Sequence, residues 1–282
     1  MPQFPIVDTH VHLWDPARLR YRWLEEVPPL NRRHGLEEFR HACGAVQVAK
    51  MVFVECGCDR TQSLDEARWV AELAQSDSRI RGIVAHAPLE NGAGAEEAVA
   101  RLAELPAVRG IRRLLQNERA DYCVQPDFVR GVKLLPKYGL SFDLCIKHPQ
   151  LTHVIALVRQ CPEVTFILDH IGKPDIKAGT LDPWRAELGQ LAQLDNVWCK
   201  LSGLATEADC EAWTANDLRP YISHTLECFG PGRVLFGGDW PVSTLATDYP
   251  RWVATVDEAL RGCSAEELQR VYVRNAERVY RV

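Results

Sequence analysis

The chain has 282 residues, 46% of them hydrophobic, enough to bury a large core, and α/β barrels of this length commonly form one domain; a single unit over 1–282 is expected. Its 33 basic and 38 acidic residues give a net charge of -5 and are scattered along the whole length, so no basic stripe suggests a nucleic-acid footprint, and a small-molecule ligand is expected. Residues 1–8 lack the charged and long apolar regions of a signal peptide, and no window of 18 uninterrupted apolar residues offers a membrane span, which points to a cytosolic protein with no membrane partner.

Taken in chain order, short β-rich runs alternate with longer segments of helical character. A strand is predicted over 6–12, then a long connection (13–35) with Trp14, Tyr21, Trp23 and Pro28-Pro29 that is placed as a loop over a barrel mouth. Helix 36–48 precedes strand 51–56, helix 63–75 precedes strand 80–87, and helix 95–105 precedes strand 108–114. Helix 127–138 leads to strand 140–147, helix 151–160 to strand 164–169, helix 183–194 to strand 197–201, and helix 217–229 to strand 234–238. Helices over 250–260 and 264–280 follow, the latter opening with a Ser264 and Glu267 capping box. Eight such strands fit a closed (β/α)8 TIM barrel better than an open doubly wound sheet, and no Gly-x-Gly-x-x-Gly follows the first strand to support a dinucleotide site. The ten cysteines, many inside apolar runs, read as reduced buried thiols, and Cys56-Gly57-Cys58 lacks the redox Cys-x-x-Cys spacing.

Side chains alternate along a strand, so Asp8, His10 and His12 are expected on one face, with two imidazoles pointing the same way. Neutral imidazole suits zinc and related divalent ions, and two at a strand end need no flexible loop to meet a metal. Later strands also end on polar residues: the third near His86, the fifth at His148, the sixth at Asp169-His170 and the eighth at Asp239. Barrel enzymes place their chemistry at the carboxyl ends of their strands.

The segments Val7-Asp8-Thr9-His10-Val11-His12-Leu13-Trp14, Leu168-Asp169-His170-Ile171-Gly172-Lys173-Pro174, Lys200-Leu201-Ser202-Gly203 and Phe236-Gly237-Gly238-Asp239-Trp240-Pro241 stand at strand ends. Together they resemble the amidohydrolase superfamily. The combined strand-six and strand-eight motifs narrow the resemblance to the sugar-lactonase branch, with fuconolactonase-like and rhamnonolactonase-like enzymes and relatives acting on pyrone dicarboxylate or muconolactone. The resemblance implies a catalytic centre of His10, His12, His170 and Asp239, with Asp239 activating water. The same four residues would hold one divalent metal ion, zinc first in order; branch members without a metal leave the alternative of none.

Ring opening needs a base for the water, stabilisation of the oxyanion and a proton for the departing ring oxygen, and one carboxylate can both take and return that proton. Binuclear relatives carry a bridging Lys or Glu at the end of strand four; here Arg109, Arg112 and Arg113 stand there, so at most a mononuclear site is expected. Arg112, His148, Glu55, Lys173 and Trp240 are candidates for gripping the substrate, Arg112 through its fork of donors and Trp240 as a ring platform. The leading function is hydrolysis of an aldonolactone to its open acid. The alternatives are a metal-dependent decarboxylase of the same superfamily, a hydrolase of a pyrone or muconolactone, and a non-catalytic binding barrel.

Overall fold

In the computed structural model, which describes residues 1–282, the strands are β1 (Ile6–Val11), β2 (Val48–Val54), β3 (Ile80–His86), β4 (Val108–Arg112), β5 (Ser141–Leu144), β6 (Phe166–Leu168), β7 (Val197–Leu201) and β8 (Val234–Phe236). Helices α1 (Leu36–Cys43), α2 (Ser63–Ser76), α3 (Glu96–Ala103), α4 (Pro126–Val132), α5 (Leu151–Gln160), α6 (Trp184–Ala192) and α7 (Ala215–Phe229) connect them, and α8 (Tyr249–Ala259), α9 (Ala265–Gln269) and α10 (Asn275–Tyr280) follow. Each strand pairs in parallel with the next, from β1 through β8. The seam between β8 and β1 closes just past the end of β8, where Trp240 bridges Val11. There the His12 N–H donates to the Trp240 carbonyl and the Asp239 N–H to the His10 carbonyl, both at 2.8 Å. The fold is a (β/α)8 barrel, and its closure holds His10, His12 and Asp239 together through the backbone.

Some boundaries differ from the sequence reading for local reasons. The helix expected over 36–48 stops at Cys43, because Gly44 takes a left-handed φ of 54° that ends the turn, and β2 therefore begins at Val48. The helix expected over 127–138 ends at Val132, and Pro136, which has no N–H to donate, sits in a separate 3-10 turn (Leu135–Tyr138). Between α9 and α10 the chain stays helical but widens to a π-turn over Arg270–Arg274.

Strand β1 carries the most consequential difference. Three steps on β1, from Asp8 to Val11, oppose two on β2, from Met51 to Phe53. This bulge inverts the alternation within the strand. His10 and His12 point into the barrel mouth, while Asp8 turns out between sheet and helices, where its carboxylate accepts from the Tyr249 hydroxyl (2.7 Å) and the Gly238 N–H (2.8 Å). Asp8 is therefore a strut for the β1–β8–α8 corner and shares no face with the histidines.

The barrel interior is layered. Its lower part is apolar, with Val7, Val52, Val54, Val84, Ile167 and Leu235 packed on Ala276 and Tyr280 of α10, separate from the larger core between sheet and helices. Above it lies a fully buried ionic layer of Asp143, Asp169 and Lys200. The residues of the mouth sit on top of that layer. The 13–35 connection is a closed excursion over the mouth: Trp14 and His34 exchange backbone hydrogen bonds of 3.0 and 2.9 Å, and the Trp14 indole N–H bonds the Arg32 carbonyl at 2.9 Å. All ten cysteines are free, and no helix is long and apolar enough to cross a membrane.

Candidate active site

Three imidazoles from two strand ends converge on one carboxylate. The Nε2 atoms of His12, His10 and His170 lie 3.5, 3.7 and 4.0 Å from Asp239 Oδ1. All four side chains are buried at the floor of a cavity of about 430 Å³, with His12, His170 and Asp239 on its surface. Backbone strain marks the same place: four of the five non-glycine residues with positive φ are His170, Ile171, Lys173 and Asp239. Such conformations cost on the order of 1–3 kcal/mol each and persist where surrounding structure enforces them.

Outer contacts fix each ring. His12 Nδ1 donates to the Val54 carbonyl at 2.7 Å, which leaves its Nε2 lone pair facing Asp239. His170 Nδ1 is 2.9 Å from Ser202 Oγ. Gly203 must be glycine: at its φ of +65° a Cβ would stand 2.5 Å from His170 Nδ1 and 2.9 Å from Asp239 Oδ2. His10 Nδ1 lies 3.3 Å from both Asp169 and Lys200, and its Nε2 is 3.3 Å from the Arg112 guanidinium. Lys200 in turn reaches Asp143 at 2.7 Å and Asp169 at 3.0 Å, and the Tyr280 hydroxyl donates to Asp143 at 2.6 Å. The Lys-Leu-Ser-Gly segment thus supplies a buried ammonium, a ring-orienting hydroxyl and a space, which its spacing alone does not announce.

Electrostatics set the protonation of this centre. Burial would raise the Asp239 carboxyl, but the imidazoles around it, His170 first and then His12 and His10, outweigh it and hold Asp239 well below the ordinary carboxylate range. Burial, reinforced by Lys173 and Arg112 against the pull of Asp239 and Asp169, pushes His170 down to about 4. Burial likewise lowers His10, with Lys200 and His170 adding to it and Asp169 opposing. His10 and His170 are therefore neutral near pH 7, the form that ligates metals. The buried cluster holds two fixed cations, Arg112 and Lys200, against four carboxylates, Glu55, Asp143, Asp169 and Asp239. One divalent ion would balance that excess, and donor atoms of His10, His170 and Asp239 all lie within 4.8 Å of one another. This donor set, with the exposed Nε2 of His12 beside it, fits a single ion of the zinc type. Arg112, fixed beside His10, stands against a second one.

The remaining candidates divide. Arg112 and Lys173 reach the cavity wall. Glu55 does not: it is buried beneath, accepting from Arg112 Nε and the Gly57 N–H, both at 2.8 Å, and so orients Arg112 rather than touching a ligand. Trp240 does not either, because alternation past β8 sends Asp239 inward and Trp240 outward, where its ring packs on His34 and Phe39. His148 opens a 3-10 turn after β5, away from the cavity lining, and His86 sits near Glu55 at the end of β3, also outside it. Sequence reasoning missed Trp23, Glu26, Gln116 and Cys145, all of which line the cavity. Trp23 belongs to the loop already placed over the mouth; the other three carry no motif.

Residues 7–282 match the amidohydrolase family. An L-fucono-1,5-lactonase from Burkholderia multivorans is 33% identical over 290 residues, covering 97% of this chain and 95% of that protein. An L-rhamnono-gamma-lactonase from Scheffersomyces stipitis is 24% identical over 336 residues, with both chains covered in full. A crystal structure of an amidohydrolase from Burkholderia multivorans with bound zinc superposes with a TM-score of 0.88 at 30% identity, covering 99% of this chain and 100% of that one.

Proposed function

The chain belongs to the amidohydrolase family, and on that basis we propose that it is a lactonase, opening a sugar lactone to its aldonic acid as one catalytic unit centred on Asp239. The observation that carries the reading is the convergence of three imidazole Nε2 atoms on a single ionised carboxylate oxygen at the floor of a cavity large enough for one sugar ring. In this reading Asp239 accepts a proton from the attacking water as the new C–O bond forms at the lactone carbonyl. When the tetrahedral intermediate collapses, the carbonyl carbon parts from the ring oxygen, which leaves with its electron pair and takes that proton from Asp239. Arg112, already committed to Glu55 and Asp169, adds positive charge beneath the developing oxyanion, and Lys173 offers an ammonium donor from the wall.

His10, His12, His170 and Asp239 would hold one divalent ion, zinc by the nature of the donors and by the likeness to the zinc-bound relative. When bound, such an ion supplies a Lewis acid for the carbonyl and a more acidic water.

A panel of 1,4- and 1,5-aldonolactones in a pH-indicator assay tests the reading. Ring opening yields a carboxylic acid, so acid release above the spontaneous rate is expected for at least one member. Absence of acid release across the panel would refute it, and carbon dioxide from a hydroxybenzoate in its place would establish the decarboxylase alternative.

A further inference from the structure

Resting on the lactonase reading, we propose that the outer half of the cavity is a subsite for the hydroxyl-bearing part of a neutral lactone, with Trp23 as its apolar wall and Glu26, Gln116 and Lys173 as its polar contacts. The cavity has two unlike sides above Asp239. One comes from the 13–35 excursion and carries Trp14, Trp23, Glu26 and Val27; the other carries Leu114 and Gln116 after β4 and Lys173 after β6. Trp23 is fixed there, its indole N–H donating to the Cys56 carbonyl at 2.8 Å and its ring edge-on to Trp14 at 5.3 Å between centroids. With its one polar atom engaged, what the half-buried ring offers a ligand is carbon surface, which suits the C–H face of a sugar ring. Gly57 keeps the space beside it open: a Cβ there would lie 3.5 Å from Leu114 and 3.6 Å from Trp23, inside the gap between the two sides.

The polar groups match hydroxyls rather than charges. Gln116 Oε1 accepts from Lys173 Nζ at 2.8 Å, which leaves the Gln116 amide N–H groups as donors, and Glu26 opposite carries acceptors with no cation partner. A hydroxyl both donates and accepts, so it can use both sides. A carboxylate can only accept, and it would have to compete here, because each nearby cation already faces a carboxylate of the protein. Lys173 faces Glu207 at 3.5 Å, Arg112 is held by Glu55 and Asp169, and Arg113 is turned away to Glu90 and Glu118. Glu26 then repels an anionic lactone on entry and the aldonate product on departure.

Steady-state kinetics on three substrates test this: a 1,5-aldonolactone, unsubstituted δ-valerolactone, and a lactone of that ring size bearing a carboxylate. The wild type is expected to prefer the aldonolactone to both others. Trp23→Leu should lower the aldonolactone to valerolactone ratio of kcat/KM by ~10-fold, through KM, while Trp23→Phe retains it. Glu26→Lys, at an exposed position that folding does not depend on, should shift the ratio of neutral to carboxylate-bearing lactone by ~10-fold toward the anion. Ratios unmoved in both Trp23→Leu and Glu26→Lys would overturn the subsite. So would a wild type that hydrolyses valerolactone as well as the aldonolactone, which leaves the lactonase reading standing; a wild type inert to all three and to the whole panel of 1,4- and 1,5-aldonolactones overturns both.

Discussion

At the scale of single residues, the carboxylates of this protein differ by what surrounds them. Asp239 is kept ionised by imidazoles, Asp169 is held well below its ordinary range by Lys200, His10 and Arg112 against its own burial, and Glu66 goes the other way. Glu66 is buried on α2 with the Cys56 N–H at 3.3 Å, and burial together with the nearby negative charge of Glu55 raises its carboxyl from 4.5 to about 8. In the folded protein it is protonated at pH 7; in the unfolded chain it is ionised. The unfolded state binds fewer protons between those two values, so stability contributed by the neutral group is complete below pH 4.5 and falls as pH rises toward 8. Glu66→Gln removes that loss. Its melting temperature is expected to exceed that of the wild type by a margin that widens from pH 5 to pH 8.5; a constant or shrinking margin in scanning calorimetry would contradict the assignment.

At the scale of elements, strands β6 and β7 and the segments that follow them supply one of the converging imidazoles and the supports beneath the site: β6 delivers Asp169 and His170, and β7 delivers Lys200, Ser202 and the gap at Gly203. The alternation of these elements was readable in the sequence because β-branched runs and amphipathic stretches have different periods, and the ends of strands one, six and eight named the four residues that meet at the floor. What could not be read were features set by partners distant in sequence. The β1 bulge depends on pairing with β2, and the outward turn of Trp240 on the β8–β1 seam. The service of Glu55 to Arg112 and of Lys200 to Asp143 and Asp169 each joins residues 57 or fewer positions apart only through the closed sheet. Lys200→Met tests the ionic layer. Removing the ammonium leaves two buried carboxylates without their main partner, a loss of about 3–5 kcal/mol by denaturant titration; a change under about 1 kcal/mol would mean that the layer is not held by charge.

At the scale of the whole molecule, apolar packing with α10 fills the lower barrel, the ionic layer lies above it, and the mouth carries the site under the 13–35 excursion. An ion bound only by the folded barrel stabilises that fold by mass action, about 4 kcal/mol when free ion exceeds its dissociation constant a thousandfold. Exhaustive chelation should therefore lower both the melting temperature and the lactonase rate, with zinc restoring both. Full activity in protein shown by elemental analysis to be metal-free would make the three histidines hydrogen-bond donors to the substrate instead. The most direct test of the proposed role of Asp239 is the steady-state rate of Asp239→Asn on the best aldonolactone. A fall in kcat on the order of 10³-fold with KM little changed is expected, since the group proposed to take and return the proton is gone while the cavity walls remain. A variant that turns over at the wild-type rate would contradict it.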